Sequence, residues 1–503
     1  MKRRTFLTMT AGVPLWAQTR WSNNPSMKAG FAEADISPAI GMEQPGGYGK
    51  AFHRVFHDAC KARVAVFDDG RKRAAIVGLD ALIVPRGLVL AVRKEIEAKC
   101  GIPGGAVLIN ASHSHSSGPT GMVQPGEFDA APELIRKLAY EKSSCADAGY
   151  LAKVHKAIVD AVCQADASKA DLLCGVGSGR EEKAAFNRRV RMTNGRTFTH
   201  PGQLNPDMIK YAGPIDPEVG VIGAWDKAGK LAGCIVNYAC HATTSPGGIS
   251  ANWIYYMEKA IRGFLGEKVT VVFVQGACGD ITQVDNFSET QQPGAEEWAQ
   301  IVGGRVGAEA IRVLLSMPRG ALTPVDASLK VLKIPRRKPA PEKVRQAMET
   351  VVKEPKEVGV TDWTFAKETV MLDYLIQREP VADVEVQAIQ LGPAVFVSNP
   401  AEYFVEFGLE IKQKSHFRYT FPAELSNGCV GYVPTEEALS ESGGGYETRL
   451  TFYSNLIPSA GRQIASTGIE LANKLKPGPM PSAPKAKPTR GAWEYGNVPA
   501  ELR

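Results

Sequence analysis

The stretch Asn110-Ala111-Ser112-His113-Ser114-His115-Ser116-Ser117-Gly118-Pro119 ends an apolar run in two histidines one residue apart, followed by small side chains. In an extended strand, residues i and i+2 face the same way, so His113 and His115 can point at one site with room beside them for a ligand. Metal binding or proton transfer fits that spacing; exposed loop histidines would leave the same letters. His241 repeats the pattern, directly after the apolar run Cys234-Ile235-Val236-Asn237-Tyr238-Ala239-Cys240. Glu402 is a third case, just beyond Ala394-Val395-Phe396-Val397-Ser398. Strand ends of α/β sheets collect ligand-binding groups. Two histidines and a carboxylate from three such ends predict a zinc set with an open fourth position, as a hydrolytic site requires. Glu402 alone would read equally well as a helix-start carboxylate, and Cys240 reads as a small buried thiol.

Other hydrolytic signatures are missing from the sequence. The residues after His115 do not complete an H-x-H-x-D-H site, and there is no H-E-x-x-H helix, G-x-S-x-G elbow or phosphate-binding P-loop. An amidohydrolase barrel also begins with H-x-H, but the regular β/α repetition it needs cannot be traced.

Residues 63–84 read as two strands around a turn at Asp68-Asp69-Gly70, followed by a helix from Arg86 to Cys100 and a strand over Ala106–Asn110. Strands over Leu231–Cys240 and Val269–Gln275 flank a helix at Tyr255–Leu265, and helices near 340–354 and 361–379 precede strands at Val384–Leu391 and Ala394–Ser398. The pattern predicts an α/β fold, with mixed β-sheet layers flanked by helices in one large catalytic domain. No internal repeat supports a solenoid or propeller.

The chain of 503 residues is 44% hydrophobic and 22% charged, ample for a packed core and against extensive disorder. A net charge of +6 without a basic stripe argues against nucleic acid as a partner. The densest basic cluster, Arg336-Arg337-Lys338 between prolines, reads as a solvated linker. Nine cysteines without a C-x-x-C pair indicate neither a disulfide framework nor a zinc ribbon. Residues 1–18, with Arg3-Arg4-Thr5-Phe6-Leu7, resemble a twin-arginine export signal and predict a periplasmic or secreted bacterial protein. The apolar run there is far shorter than the ~20 residues of a membrane span. Residues 476–503 are rich in Pro and Lys and predict an extended or disordered tail that does not pack.

The motifs, taken in order, resemble the neutral/alkaline non-lysosomal ceramidase family, zinc-dependent amidases that release a fatty acid from N-acylsphingosine. The resemblance runs from Gly30 to about Lys474 and marks residues 28–475 as the catalytic domain. It is carried by Ala34-Asp35-Ile36-Ser37-Pro38, the strand pair from Arg63 to Asp80, the H-x-H-S motif, Asn187-Arg188, Gly279-Asp280-Ile281-Thr282, Pro400-Ala401-Glu402, Ser426-Asn427 with Tyr432, and Tyr446-Glu447. It implies Zn2+ held by His113, His241, Glu402 and Tyr432, His115 beside the metal as proton carrier, and Arg188 and Tyr446 near the reacting carbonyl. Without the resemblance, Arg188 reads as one member of a basic run with Arg189 and Arg191, and the tyrosines as packing.

Three departures stand out. Thr282 occupies the place of a family serine once regarded as a nucleophile; it keeps a hydroxyl on a stiffer side chain. Asn252 stands where an Asp is expected. The family also continues into an immunoglobulin-like domain, where this sequence has its Pro/Lys tail. The expected partner is a small-molecule or lipid substrate, with peripheral membrane contact and no transmembrane span. Two alternatives stay open: the same zinc centre acting on another amide, ester or sugar-derived substrate, and a non-catalytic periplasmic binding protein.

Overall fold

The strand Lys61–Asp68 sorts its side chains by parity, and the layers of the molecule follow from that sorting. Val64 and Val66 face a core shared with the helices Arg86–Cys100 and Ala148–Ala167, while Ala65 and Phe67 face a core shared with a second sheet. A strand apolar on both faces must be covered on both. The computed structural model describes residues 24–488 and, in the tail, 491, 493, 495, 496 and 499–502. The export signal expected at 1–18 lies outside the described residues.

The larger sheet has eight strands in the order Thr270–Gln275, Leu231–Tyr238, Glu218–Trp225, Ala170–Arg180, Met27–Asp35, Lys61–Asp68, Arg73–Leu79, Val107–Ala111. Its two outermost pairs are parallel and the rest antiparallel. Its two edges also approach each other. Gln275 N donates to Asn110 Oδ1 at 2.8 Å, and Gly78 has no room for a side chain because a Cβ would lie 2.2 Å from Phe273 O. This closure brings the strand leading to His113 alongside the strands leading to His241.

The second sheet runs Val325–Pro335, Val381–Leu391, Ala394–Ser398, Tyr419–Ala423. Ile389, Phe396 and Phe421 on its inner face pack with Ile235, Val272 and Val274 of the larger sheet, and the helices Val405–Lys414 and Ala460–Lys474 cover its outer face. Helices Trp253–Leu265 and Ala295–Ser316 cover the larger sheet beside the first helix pair. The result is a helix, sheet, sheet, helix stack, in agreement with the mixed α/β reading. The helices Pro341–Val351 and Val360–Arg378 are inserted between two paired strands. The second carries Phe365 against Tyr48, with ring centroids 5.6 Å apart.

Three sequence expectations are corrected. Cys100 and Cys163 form a disulfide between two helices, a pairing 63 residues apart that no short motif signals; the other seven cysteines are free. Arg336 and Arg337 are not a solvated linker. Arg336 donates to Glu379 O and Asn455 Oδ1, and Arg337 to Ser454 O. The start of the Pro/Lys tail does pack: Gly478 N donates to Gly392 O at 2.9 Å and Gln390 Nε2 to Lys476 O at 2.6 Å. Among the described residues no helix is long and apolar enough to cross a membrane.

Candidate metal centre

The strand Val107–Ala111 stops before the histidines, so His113 and His115 lie in the turn after it. His113 adopts a left-handed backbone, φ 61°, a strained choice for a non-glycine residue that is characteristic of functional sites. Left-handed geometry, not strand parity, brings the two rings together, with centroids 4.8 Å apart. The imidazole of His113 is fixed from behind, Nδ1 lying 3.0 Å from Leu82 O. His115 is packed by the loop at Gly46, where a Cβ would lie 2.3 Å from His115 Nδ1, and Gln44 Nε2 donates to the His115 carbonyl.

His241 is held in the same way. Its Nδ1 lies 2.7 Å from Cys278 O and 3.1 Å from Ile281 O, and its carbonyl accepts from Trp253 Nε1. Asn252 caps the helix Trp253–Leu265 and accepts from Thr244 N and Oγ1, fixing the turn that follows His241. Glu402 lies in the short strand Ala401–Tyr403, not at a helix start, and its register partner in the parallel strand Gly431–Val433 is Tyr432.

These segments converge. Glu402 Oε2 lies 3.2 Å from His113 Nε2 and 3.1 Å from His241 Nε2, and His115 Nε2 lies 3.3 Å from His113 Nε2. A carbonyl can only accept, so Nδ1 of His113 and of His241 each carries the hydrogen and Nε2 of each presents a lone pair. With both rings neutral, three lone-pair atoms, His113 Nε2, His241 Nε2 and Glu402 Oε2, therefore face one another in a buried site. Ligands at 2.0–2.1 Å around a tetrahedral ion sit ~3.3 Å apart, so the donor set fits a divalent cation. His113, His115 and His241 offer ligand atoms within 4.8 Å of one another.

Electrostatics follow from burial and these neighbours. Burial and then His113 and His241 push His115 well below the usual imidazole range. Burial and Arg188 push His241 down to about 4. Burial alone would lower His113, but the Glu402 carboxylate raises it. Burial would also raise Glu402, yet His113 and His241 hold it well below the usual carboxylate range. Neutral His115 and His241 beside an ionised Glu402 are protonation states that suit a metal, and a cation there would take the place of the proton that Glu402 draws onto His113.

Arg188 is buried beside this cluster. Its Nε donates to Glu447 Oε1 at 2.6 Å, Nη2 to Gly279 O at 2.7 Å and to Tyr432 Oη at 3.1 Å, and Nη1 lies 3.3 Å from His241 Nε2. Tyr446 Oη donates to Tyr432 Oη at 3.0 Å, and burial keeps both phenols protonated by raising them well above their ordinary value. The cavity over the cluster, lined by Gly46, Tyr48, Leu82, Met122 and Tyr453 besides the site residues, has about 20 Å³ of free space, room for one water.

Thr282 is less involved. Its hydroxyl donates to Gln283 Oε1 and, among the described residues, makes no hydrogen bond to the histidines, Glu402 or Tyr432. Cys240 is fully buried. Two carboxylates escaped the sequence reading as site components. Glu447 appeared only as a motif letter, yet it holds Arg188. Glu424 accepts from Cys278 N at 2.9 Å and Tyr403 N at 2.7 Å, joining the loop behind His241 to the strand of Glu402. No local spacing marks either, because their partners are remote in sequence.

A neutral ceramidase from Pseudomonas aeruginosa strain PAO1 is 26% identical to the chain over 227 residues, 43% of this chain and 30% of that protein. Over that stretch the chain is a neutral ceramidase homologue by sequence. That sequence match spans under a third of the relative's length. The fold match is broader. A solved ceramidase complexed with C2 superposes with a TM-score of 0.66 at 17% identity, over 92% of this chain and 78% of that one. The solved neutral ceramidase from Pseudomonas aeruginosa gives a TM-score of 0.65 at 18% identity, over 92% and 77%. At those identities the superpositions establish the fold. No protein-family model matches the chain.

Proposed function

We propose that the chain is an exported zinc-dependent amide hydrolase of ceramidase type, with residues 28–475 as its catalytic unit. The observation that carries this reading is the convergence of Nε2 of His113 and His241 on Glu402 Oε2, each imidazole turned so that its lone pair faces inward. His113, His241 and Glu402 would hold the metal, and Tyr432, register partner of Glu402, is the proposed fourth ligand. A divalent metal held there would supply Lewis-acid chemistry and lower the pKa of a water toward 7.

The chain's own groups provide the rest. Neutral His115, with Nε2 facing the cluster, is placed to carry a proton to the leaving amine. Arg188 and the protonated Tyr446 present donors to an oxygen developing negative charge, and Glu447 fixes the guanidinium so that little reorganisation is needed. The close-packed loop at Gly46 and Tyr48 limits water around the reacting bond. The Cys100–Cys163 disulfide supports export to an oxidising compartment, and apolar Leu82 and Met122 at the cavity support contact with an acyl chain.

N-acylsphingosine is the first substrate to assay because the named relatives are ceramidases. A second reading, another N-acyl amide with a polar arm, is favoured by the chamber across Met122 and Tyr453, whose lining includes Arg86, Glu127, Arg336 and Glu379. The test is fatty-acid release from N-acylsphingosine, N-acyl amino acids and simple esters, before and after chelation. Release lost with chelator and restored by zinc supports the reading; chelator-resistant release, or none from any amide, contradicts it.

A further inference from the structure

Glu424 is fully buried, and among the described residues no cation pairs with it. A buried acid is costly unless its oxygens are satisfied, and both of these are. Oε2 accepts from Cys278 N at 2.9 Å and from Tyr403 N at 2.7 Å, and Oε1 accepts from Cys278 Sγ at 2.9 Å. One acceptor shared by two N–H groups must be an oxygen with two lone pairs, which an apolar side chain of the same size cannot supply.

Both N–H groups belong to the supports of proposed metal ligands. The carbonyl of Cys278 receives the Nδ1 hydrogen of His241 at 2.7 Å, and Tyr403 N belongs to the peptide that follows Glu402. The main chain of the same segment reaches the third ligand. Glu424 O accepts from Asn110 Nδ2 at 2.6 Å and Leu425 O from Ala111 N at 3.1 Å, and Asn110 and Ala111 end the strand that leads to His113. Leu425 adopts a left-handed backbone there, φ 48°, a strained conformation of the kind found in ligand clamps. His113, His241 and Glu402 come from segments far apart in sequence, and this bend is where their supports meet.

We propose that Glu424 is a positioning residue of the metal centre, its carboxyl fixing the His241 imidazole and the Glu402 carboxylate relative to each other so that both reach one ion. The inference rests on the metal-dependent reading above and deepens it, because groups that orient ligands set metal affinity. Glu424 acts through Cys278 and Tyr403. Gly279 N also donates to Tyr403 O at 2.9 Å, so removing the carboxyl loosens this junction without severing it.

The experiment titrates the full chain, stripped of metal, with zinc against a competing chelator, and with cobalt(II), whose visible absorption reports ligand geometry. Glu424→Leu is expected to weaken zinc binding by about 10–100-fold, the usual effect of losing a partner that orients a ligand, and to change the cobalt spectrum. Glu424→Gln keeps one oxygen able to accept from both N–H groups and is expected to restore affinity and spectrum. Should Glu424→Leu fail to fold, Glu424→Asp, one methylene too short to hold both groups, takes its place. Parental affinity and spectrum in the Leu variant, even with a lowered unfolding midpoint, would make Glu424 a residue of the fold alone and overturn the proposal. Failure of Glu424→Gln to restore them overturns it too, and either result leaves the metal reading intact. A parent chain that binds neither zinc nor cobalt overturns both.

Discussion

Glu402 and Tyr432 are register partners in a two-stranded parallel pair, so the carboxylate facing two histidines and the phenol facing Arg188 stand side by side on neighbouring strands. One short backbone ladder thus joins the half of the site proposed to bind a metal to the half that would meet the carbonyl. The two halves depend on each other, and each variant below separates a different part of that dependence.

Arg188 should matter to both stability and turnover. Arg188→Met is expected to lower kcat by about 10²–10³, the usual cost of losing an oxyanion donor. It also leaves Glu447, fully buried, as an unpaired charge, costing ~3–5 kcal/mol in denaturant unfolding. Adding Glu447→Gln should recover most of that stability and none of the activity. Recovery of both would mean that Arg188 acts only through the fold.

Thr282 should tolerate loss of its hydroxyl. Thr282→Val removes one hydrogen bond to Gln283, and kcat is expected to change by less than about tenfold, whereas removing a true nucleophile costs on the order of 10⁶. A loss of the larger size in steady-state assays would return Thr282 to the reacting centre.

Acid sensitivity should trace to the Glu258 network. Burial alone would raise the Glu258 carboxyl, but Arg63 and Lys61 hold it at about 2 against an ordinary 4.5. A folded pKa below the unfolded one gives stability that is fully present above pH 4.5 and lost as pH falls toward 2. Through this network the helix Trp253–Leu265 is fastened to Lys61 and Arg63 of the sheet, and Trp253 Nε1 meets the His241 carbonyl. Glu258→Gln should flatten the stability profile across that window in equilibrium unfolding. An unchanged slope would assign the acid limb to other carboxylates.

The parts of the site readable from sequence were those announced locally. His113, His241 and Glu402 each follow an apolar strand, and such ends mark themselves. The reason His113 and His115 converge was not readable, because it lies in a left-handed residue after the strand and not in the strand's alternation. Arg188, Tyr432 and Tyr446 rested on family resemblance alone. Glu447 meets Arg188 across 259 residues and Glu424 meets Cys278 across 146, and such pairings exist only once the two sheets have stacked. Arg336 was misread for the same reason: flanking prolines suggest a linker, while its anchor at Asn455 lies 119 residues downstream. Buried polar hubs are products of long-range packing, and single-sequence periodicity carries no record of them.

The central claim is that inward-turned imidazoles and Glu402 hold one catalytic metal. It is tested most directly by elemental analysis of the purified chain and of His113→Ala and His241→Ala. About one zinc per chain is expected in the parent, with metal reduced to background in both variants and hydrolysis lost with it. Full metal content in both variants would contradict it.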